Sequence, residues 1–240
     1  MKGAINIMCL YWVGDFRGRH FKPKDVWRLH ETVTKHSDRK FDFYVLTNDM
    51  SANLPGTKIP LLHAEDWPGW WAKMELYRPD LPEGRTLYMD LDSHAISSLA
   101  PILDFEGDLV LFDDRTAQHE AKHIRRNEGG WVYRYQAATI LFNTREWTWL
   151  YDKFKLDWDY YLTHYRSDQD ILGEWIPNQP TFPREWLIKL ADFNKLYYRN
   201  VRKPSIRFSP PDDVIIVTGQ PKNGLFYKLE KIEWFEKLAR

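Results

Sequence analysis

The amino-acid sequence predicts an α/β fold in which helices flank a mostly parallel central sheet. An apolar strand at 3–11, an amphipathic helix at 24–37 and a second strand at 41–47 follow one another in that order. This order predicts a right-handed parallel crossover. Further apolar runs extend the sheet, at 85–89, 107–112, 136–143 and 213–218. Polar residues follow most of these strands, and α/β sheets bind ligands beyond the carboxyl ends of their strands.

Each predicted helix has its own local signal. The helix at 24–37 follows Pro23, and its apolar residues recur at helical spacing. A second helix begins at Gly69 and ends before Pro79, because the residue that precedes a proline disfavours helical backbone. The helix that follows Ser167 has a capping residue and acids in its first turn. The other predicted helices lie at 147–165 and 225–238, and the sequence leaves 176–211 irregular.

Composition narrows the class of protein. The chain has 240 residues, of which 43% are hydrophobic and 28% are charged, so we expect one globular domain over 1–240. A formal net charge of +0 argues against a protein that coats nucleic acid. The single cysteine, Cys9, excludes an internal disulfide framework and a cysteine-only zinc site. No transmembrane stretch and no signal-peptide cleavage site is evident, so we expect a cytoplasmic protein.

An aspartate-leucine-aspartate triplet, Asp90-Leu91-Asp92, ends one of the predicted strands. On an extended backbone, side chains two residues apart point the same way. Two neighbouring carboxylates repel each other, and a hard divalent cation relieves the repulsion. The triplet therefore indicates a metal site that holds a diphosphate, although two solvated loop acids would give the same pattern.

Polar clusters at other strand ends point to the same edge of the sheet. Tyr11-Trp12 and Asn48-Asp49 follow the first two strands, and the segment 218–222 follows the last. Aromatic and amide groups can hold a nucleobase, whereas a glycine turn with a lysine can neutralise phosphate charge. The clusters together suggest a nucleotide site.

Four segments resemble the GT-A fold glycosyltransferases, and in particular the retaining galactosyltransferase and glycogenin group (glycosyltransferase family 8) with its small bacterial and phage members. RTLYMDLDSHAISSL is similar to the family's strand vLYlDxDxxvxxsL, and YQAATILFNTREW is similar to fNaGfllinlkkW. SDQDIL is similar to DQDiLN, and VTGQPK resembles the closing pattern HxGxxKPW. Order and spacing agree over nearly the whole chain, which implies a GT-A (Rossmann-like) domain.

The resemblance implies a nucleotide-sugar donor, commonly a UDP-sugar, and Mn²⁺ or Mg²⁺ bound by Asp90 and Asp92. It implies contacts of Gly219 and Lys222 with phosphate. Tyr11 and Asn48 would lie near the base, and Lys73 would contact the donor phosphate or ribose, unless it is an ordinary exposed helix lysine.

The same resemblance implies the catalytic segment. Asp168, Gln169 and Asp170 would flank the donor sugar, with Gln169 nearest the reacting face, unless the two acids only cap a helix. Because an amide is a poor nucleophile, we expect retention through front-face attack. Asp113 would contact the donor or acceptor sugar, and Gln136 stands where the family usually has asparagine.

The closing segment departs from the family pattern. Thr218 stands where the family has a metal-binding histidine, and Asn223-Gly224 replaces the closing Pro-Trp. A protein that binds nucleotide sugars or glycans with little catalysis is therefore an alternative.

The polar stretch 115–134 is aperiodic, and we expect a flexible flap on the acceptor side. Its basic and aromatic residues suit a glycan, a lipid-linked phosphate or nucleic acid, and we favour a glycan. His119, Glu120 and His123 match the H-E-x-x-H zinc-peptidase motif, but no apolar helix face or third ligand accompanies them. The helix at 225–240 is expected to dock on the domain's own core.

Overall fold

A seven-stranded sheet forms the centre of the protein. The computed structural model describes residues 5–15, 21–113, 135–189 and 213–218. The strands of this sheet are β1 (Ile5–Tyr11), β2 (Phe41–Thr47), β3 (Thr57–Pro60), β4 (Arg85–Met89), β6 (Leu109–Asp113), β7 (Tyr135–Asn143) and β8 (Thr181–Phe182). Their order is β3-β2-β1-β4-β7-β6-β8. Only β7 runs opposite to the others, so the prediction of a mostly parallel α/β sheet is confirmed.

A smaller sheet and several helices complete the described structure. Strands β5 (Ser93–Ala95), β9 (Leu187–Lys189) and β10 (Ile216–Thr218) form a three-stranded sheet in the order β5-β10-β9. The α-helices are α1 (Pro23–His36), α2 (Ala100–Leu103), α3 (Thr148–Leu156), α4 (Trp158–His164) and α5 (Asp168–Trp175), and Gly69–Tyr77 and Arg184–Trp186 are 3-10 helices. Within the described ranges, no helix combines the length and the apolar character needed to span a membrane.

The sheet separates two hydrophobic clusters. All seven residues of β1 are buried, which is typical of a central parallel strand covered on both faces. Met8 and Leu10 belong to one cluster, whereas Ile7, Cys9 and Tyr11 belong to the other. Because side chains alternate along a strand, the two clusters lie on opposite faces of the sheet.

The strand directions bring several chain segments to one edge. Strands β1, β2, β4 and β6 all end at this edge, which we call the carboxyl edge. The reversed strand β7 begins there, so Tyr135 pairs with Asp113 and Gln136 with Phe112. The register of the sheet therefore places the start of β7 beside the end of β6 and beside the residues that follow β4.

Four local predictions differ from the structure. The helix predicted at 147–165 is two helices that meet at Asp157, whose ψ of 43° lies outside the helical region. The helix from Gly69 is a 3-10 helix. Strand β3 was not expected, since Pro55, Gly56 and Pro60 suggested a loop. The segment predicted as irregular contains β8, β9 and a short 3-10 helix.

Other predictions lie outside the described residues. These are the flap 115–134 with its H-E-x-x-H motif, the docking helix 225–240, and the positions Gly219 and Lys222.

Candidate functional site

The two aspartates of the triplet lie on a turn. Strand β4 ends at Met89, and the Ser93 N–H donates to the Asp90 carbonyl oxygen at 2.9 Å. This bond closes a turn over 90–93, after which β5 pairs with β10. The expected extended backbone is therefore wrong, because the chain reverses here to enter the smaller sheet. Strand alternation does not orient the carboxylates of Asp90 and Asp92.

Asp90 is held by groups of the protein itself. The Tyr88 hydroxyl donates to Asp90 Oδ1 at 2.5 Å. Lys73 Nζ lies 2.9 Å from Asp90 Oδ1 and 3.0 Å from Oδ2, and it also donates to the Ala137 carbonyl at 3.3 Å. The Asp90 N–H donates to the Ala138 carbonyl at 2.8 Å. These contacts tie the carboxylate to β4, to β7 and to the 3-10 helix Gly69–Tyr77.

Lys73 also connects the triplet to helix α5. Its Nζ lies 3.7 Å from Asp168 Oδ2, an ion pair too long for a hydrogen bond. Burial alone would lower the pKa of Lys73, but the carboxylates of Asp168 and Asp90 outweigh it and the pKa is raised. Burial raises the pKa of Asp168 to about 6, against the opposing effect of the Lys73 ammonium. The site is thus a compact cluster of acids around one buried cation.

A second buried ion pair fixes the 3-10 helix that carries Lys73. The Glu75 carboxylate is fully buried and accepts the backbone N–H groups of Leu62 and His63 at 2.8 and 2.7 Å. Arg78 donates to Glu75 at 2.7 Å and to the Pro60 carbonyl at 2.8 Å. These contacts lock the helix to the chain that follows β3, and so they position Lys73.

The segment Asp168-Gln169-Asp170 begins α5. Asp168 and Asp170 are 2% and 3% exposed, whereas Gln169 between them is partly exposed. Asp170 accepts the Arg166 N–H at 3.1 Å, whereas the Ser167 hydroxyl makes no capping hydrogen bond. The capping role predicted for Ser167 is therefore wrong. Of the three predicted catalytic side chains, Gln169 is the one that a ligand can reach.

Asp113 and Gln136 lie on neighbouring strands at the carboxyl edge. Asp113 is partly exposed at the end of β6, opposite Tyr135. Gln136 is 8% exposed, and its Oε1 accepts the Ala138 N–H at 3.1 Å. Ala138 in turn accepts from Asp90, so β7, which carries Gln136 and pairs with the strand of Asp113, also supports the triplet.

The two predicted base contacts, Tyr11 and Asn48, also make contacts within the protein. Tyr11 is 4% exposed and belongs to the core on the α1 face. The Asn48 side chain accepts the Val13 N–H and donates to the Val13 carbonyl, both at 2.8 Å. Trp12 is half-buried, and its indole N–H donates to the Ala64 carbonyl at 2.9 Å. The loop after β1 is thus clamped on two sides, with Trp12 rather than Tyr11 nearer the surface.

Thr218 lies beside the turn that contains the triplet. It pairs with Ser93 in the antiparallel register of β5 and β10, and the two hydroxyl oxygens are 2.8 Å apart. The end of β10 therefore approaches the turn 90–93 and brings the Thr218 hydroxyl to it.

Two carboxylates at the turn fit a hard divalent ion. Among the described residues, no three His, Cys, Asp or Glu side chains form a group that could hold a metal by themselves. Mg²⁺ in proteins is commonly bound by one or two carboxylates, with substrate phosphates and water as its other ligands. Asp90 and Asp92 are the carboxylates of the turn that could contribute oxygens to such an ion, and those of Asp90 also contact Lys73 and Tyr88.

No protein-family model matches the chain, and no curated protein sequence matches it. Solved structures do match. The galactosyltransferase LgtC, in complex with donor and acceptor sugar analogs, superposes with a TM-score of 0.60 at 15% identity over 98% of this chain and 95% of that one. The glycosyltransferase GlyE of Streptococcus pneumoniae gives 0.58 at 13% identity, over 99% of this chain and 63% of its own. The bifunctional glycosyltransferase WbbM gives a TM-score of 0.54, over 99% of this chain and 51% of its own. The chain therefore has the GT-A glycosyltransferase fold.

Proposed function

We propose that the protein is a glycosyltransferase that moves a sugar from a nucleotide-sugar donor, a UDP-sugar, to an acceptor hydroxyl. One observation carries the proposal: Lys73 joins Asp90 of the triplet to Asp168 of the segment that contains Gln169, within a GT-A fold. A diphosphate site and a sugar site would then share one buried lysine. Two acids around one buried cation leave an excess of negative charge that the fold alone does not need, which supports a binding role.

The donor diphosphate would lie at the turn 90–93. Asp92 and Asp90 would hold Mn²⁺ or Mg²⁺, which supplies charge stabilisation to the departing diphosphate. Lys73 adds a fixed positive charge, and Gly219 and Lys222 are proposed as further phosphate contacts. The base would lie against the loop that follows β1, which Asn48 holds through Val13.

In the proposed reaction, the bond between the anomeric carbon and the β-phosphate oxygen breaks, and the acceptor oxygen forms the new bond on the same face. The acceptor proton passes to the departing phosphate oxygen, so the configuration is retained. Positive charge develops on the sugar ring in the transition state. The carboxamide oxygen of Gln169 would stabilise this charge, because Gln169 lies partly exposed at the start of α5 between two buried acids.

A glycan is the proposed acceptor. Asp113 is partly exposed at the carboxyl edge, next to the strand that contains Gln136, and it is a suitable partner for a sugar hydroxyl. LgtC, with the same fold, has been crystallised with donor and acceptor sugar analogs. Nucleic acid is less favoured, because the net charge is +0.

Nucleotide release from a panel of nucleotide sugars tests the proposal, with Mn²⁺, with Mg²⁺ and with chelator. We expect release from a UDP-sugar that requires a divalent ion and is lost in Asp92→Asn. Asp152→Asn, at an exposed position of α3, is the matched control and should retain full release. A wild-type protein that releases no nucleotide from any donor, with or without acceptor glycans, contradicts the proposal.

A second function is supported by Thr218. Its hydroxyl is paired with Ser93 at 2.8 Å where the family has a metal-binding histidine, which weakens the predicted ligand set. A protein that binds nucleotide sugars without turnover would show binding of a UDP-sugar by calorimetry and no release in the same assay.

A further inference from the structure

Exposed aromatic side chains are concentrated on helices α3 and α4. Trp149 and Tyr160 are 40% and 45% exposed, and Leu156 between them is 86% exposed. The other exposed large apolar side chains of the described residues come from other elements and loops: Val13, Trp27, Met50 and Leu62. Single exposed apolar residues are normal on a protein surface, whereas a group of them indicates a binding surface.

The aromatic rings of this surface contact one another. The ring centroids of Trp149 and Trp175 are 6.3 Å apart, with an interplanar angle of 34°. Trp175 meets Tyr161 edge-on at 5.0 Å, and Tyr161 meets Tyr160 edge-on at 5.6 Å. These four rings, which we call the aromatic platform, connect α3, α4 and α5. Their mutual contacts fix the orientation of each ring.

Charged side chains of both signs surround the aromatic platform. Lys153 Nζ lies 4.1 Å from the centroid of the Trp175 ring, and Lys153 is on the same side of α3 as Trp149, four residues earlier. Asp157 and Asp159 are exposed at the start of α4. This mixture differs from the lysine- and arginine-rich face that is typical of helices on anionic membranes. The charges therefore disfavour a membrane as the partner of this surface.

The exposed area favours a small ligand over a second copy of the chain. A fully covered aromatic side chain buries about 150–250 Å², so Trp149 and Tyr160 expose about 60–110 Å² each. Even with Leu156, this is well below the surface of about 800 Å² that a stable protein interface buries on each partner. The aromatic platform is therefore suited in size to a few small rings rather than to a protein.

The chemistry of the aromatic platform suits a glycan. The face of an aromatic ring is electron-rich, and it attracts the C–H groups that one side of a pyranose ring presents. Sugar hydroxyls need hydrogen-bond partners, and the exposed Lys153 ammonium supplies donors beside the rings. Because the rings are already fixed by their contacts, little conformational entropy is lost when a ligand stacks on them.

Helix α5 connects the aromatic platform with the proposed reaction site. Gln169 is near the start of this helix, and Trp175 is its last residue, about 9 Å further along the axis. Just beyond α5, the Ile176 carbonyl accepts from the Tyr135 hydroxyl at 3.0 Å, and Tyr135 pairs with Asp113. The platform is therefore attached, through α5, to both residues that are proposed to contact sugars.

We propose, resting on the proposed function for the choice of ligand, that the aromatic platform is a second sugar-binding site. It holds a distal part of an oligosaccharide acceptor by stacking on Trp149 and Tyr160. The reacting end of the same acceptor is then present at a higher effective concentration near Gln169. The platform itself does not contact the reacting atoms.

Glycan binding without donor or metal ion tests the aromatic platform. An array of immobilised hexose oligosaccharides, from disaccharides to longer chains, is probed with wild type, Trp149→Ala and Tyr160→Ala. We expect wild type to bind an oligosaccharide of the array and each alanine variant to bind it at least about tenfold more weakly. Trp149→Phe keeps an aromatic ring, so its affinity should stay within about threefold of wild type.

Trp27→Ala is the matched control. Trp27 is 39% exposed, but it is on α1, which packs on the other face of the sheet, and its indole N–H donates to the Asn53 carbonyl at 3.1 Å. We expect this variant to bind glycan as wild type does. Thermal melting shows whether each variant is folded. Because Trp149 and Tyr160 are on different helices, Tyr160→Ala decides the matter if Trp149→Ala does not fold.

Several results would overturn the inference. These are a wild type that binds no glycan of the array, glycan binding that neither alanine variant weakens, and equal losses in Trp149→Ala and Trp27→Ala. Another occupant would be identified if wild type sedimented with vesicles of phosphatidylcholine and phosphatidylglycerol in equal parts and Trp149→Ala did not. A dimer in analytical ultracentrifugation that Trp149→Ala dissociates would likewise replace the glycan with a second copy.

The array and the nucleotide-release assay fail independently. Nucleotide release by a wild type whose glycan binding does not depend on Trp149 or Tyr160 removes this inference alone. Platform-dependent glycan binding by a wild type that releases nucleotide from no donor removes the proposed reaction and leaves the glycan site. A wild type that neither binds glycan nor releases nucleotide removes both.

Discussion

Lys73 and Asp90 form a two-point ion pair, with Nζ at 2.9 Å from Oδ1 and 3.0 Å from Oδ2, although the residues come from a 3-10 helix and a strand end. The lysine side chain is 8% exposed and the aspartate 23%. A buried ammonium is stable only with anionic partners, and here Asp90 and Asp168 provide them.

Replacement of Lys73 tests how much the buried ammonium contributes to the stability of the fold. Lys73→Met keeps the length of the side chain but leaves Asp90 and Asp168 without their counter-charge. We expect the free energy of unfolding to fall by about 3–5 kcal/mol. The matched control is Glu83→Gln, which breaks the 2.7 Å pair with Arg145, whose side chains are 73% and 52% exposed. That change should cost at most about 1 kcal/mol. Urea unfolding measures both losses of stability. Equal small losses in the two variants would show that the buried Lys73–Asp90 pair does not stabilise the fold.

Glu75 also belongs to a buried ion pair, on the 3-10 helix that carries Lys73. Glu75→Gln replaces one carboxylate oxygen with an NH₂ group that cannot accept from the backbone. Because both oxygens accept N–H groups and one also accepts from Arg78, we expect a loss of about 3 kcal/mol and weaker UDP binding through a displaced Lys73.

Asp80→Asn is the control for this change, since Asp80 is the other acidic partner of Arg78 but is 60% exposed. Its expected cost is below about 1 kcal/mol, with UDP affinity unchanged. If the Asp80 variant lost as much stability as the Glu75 variant, burial would not be the cause.

His94 predicts an acid-sensitive fold. Burial lowers the pKa of this imidazole to about 3, with a further contribution from Arg28. The unfolded chain takes up a proton near pH 6.5, while the folded protein does not until far lower pH, so stability falls as pH decreases through this window. From pH 7.5 to pH 4.5 we expect His94 to account for about 2–3 kcal/mol of that loss.

The difference between wild type and His94→Gln isolates this effect, because all other groups are shared. Urea unfolding at the two pH values measures it. We expect the variant to lose less stability on acidification than wild type does, and equal losses would contradict a neutral buried imidazole.

The strands and their common edge could be predicted from the sequence because burial on both faces leaves mainly apolar runs, as in β1 and β7. The contact between Lys73 and Asp90 could not, since it depends on how the 3-10 helix lies across the sheet. The turn 90–93 could not be predicted, because an apolar run that ends in Asp-Leu-Asp is also compatible with a continuing strand. The hydrogen bonds between the Asn48 amide and Val13 could not be predicted either, because they depend on how the loop after β1 folds back on the end of β2.

The clamp on the loop after β1 gives a further prediction. Asn48→Ala removes both hydrogen bonds to Val13, so the loop beside Trp12 becomes less ordered. We expect UDP affinity to fall several-fold, which corresponds to the free energy of about one hydrogen bond. Because Asn48 is exposed, the free energy of unfolding should change little. Asn53→Ala, at an exposed position in the same connection, is the control and should leave UDP affinity unchanged. Calorimetry measures both, and equal affinities would exclude the loop from the base site.

Gln169 is the residue on which the chemistry of the proposal depends. It is partly exposed between the buried Asp168 and Asp170. Because its carboxamide would act on charge that develops only in the transition state, we expect Gln169→Ala to lower kcat by about 10²–10³. The donor KM should change little, since that charge is absent from the bound donor.

Stability separates this role from a structural one. A partly exposed side chain contributes about 0.5 kcal/mol or less to folding, so the Tm of Gln169→Ala should match that of wild type. Glu174→Ala, on an exposed position of the same helix, should retain full kcat. If Gln169→Ala raised KM at constant kcat, the side chain would bind the donor in its ground state, and stabilisation of the transition state would have to come from Asp168 or from the diphosphate itself.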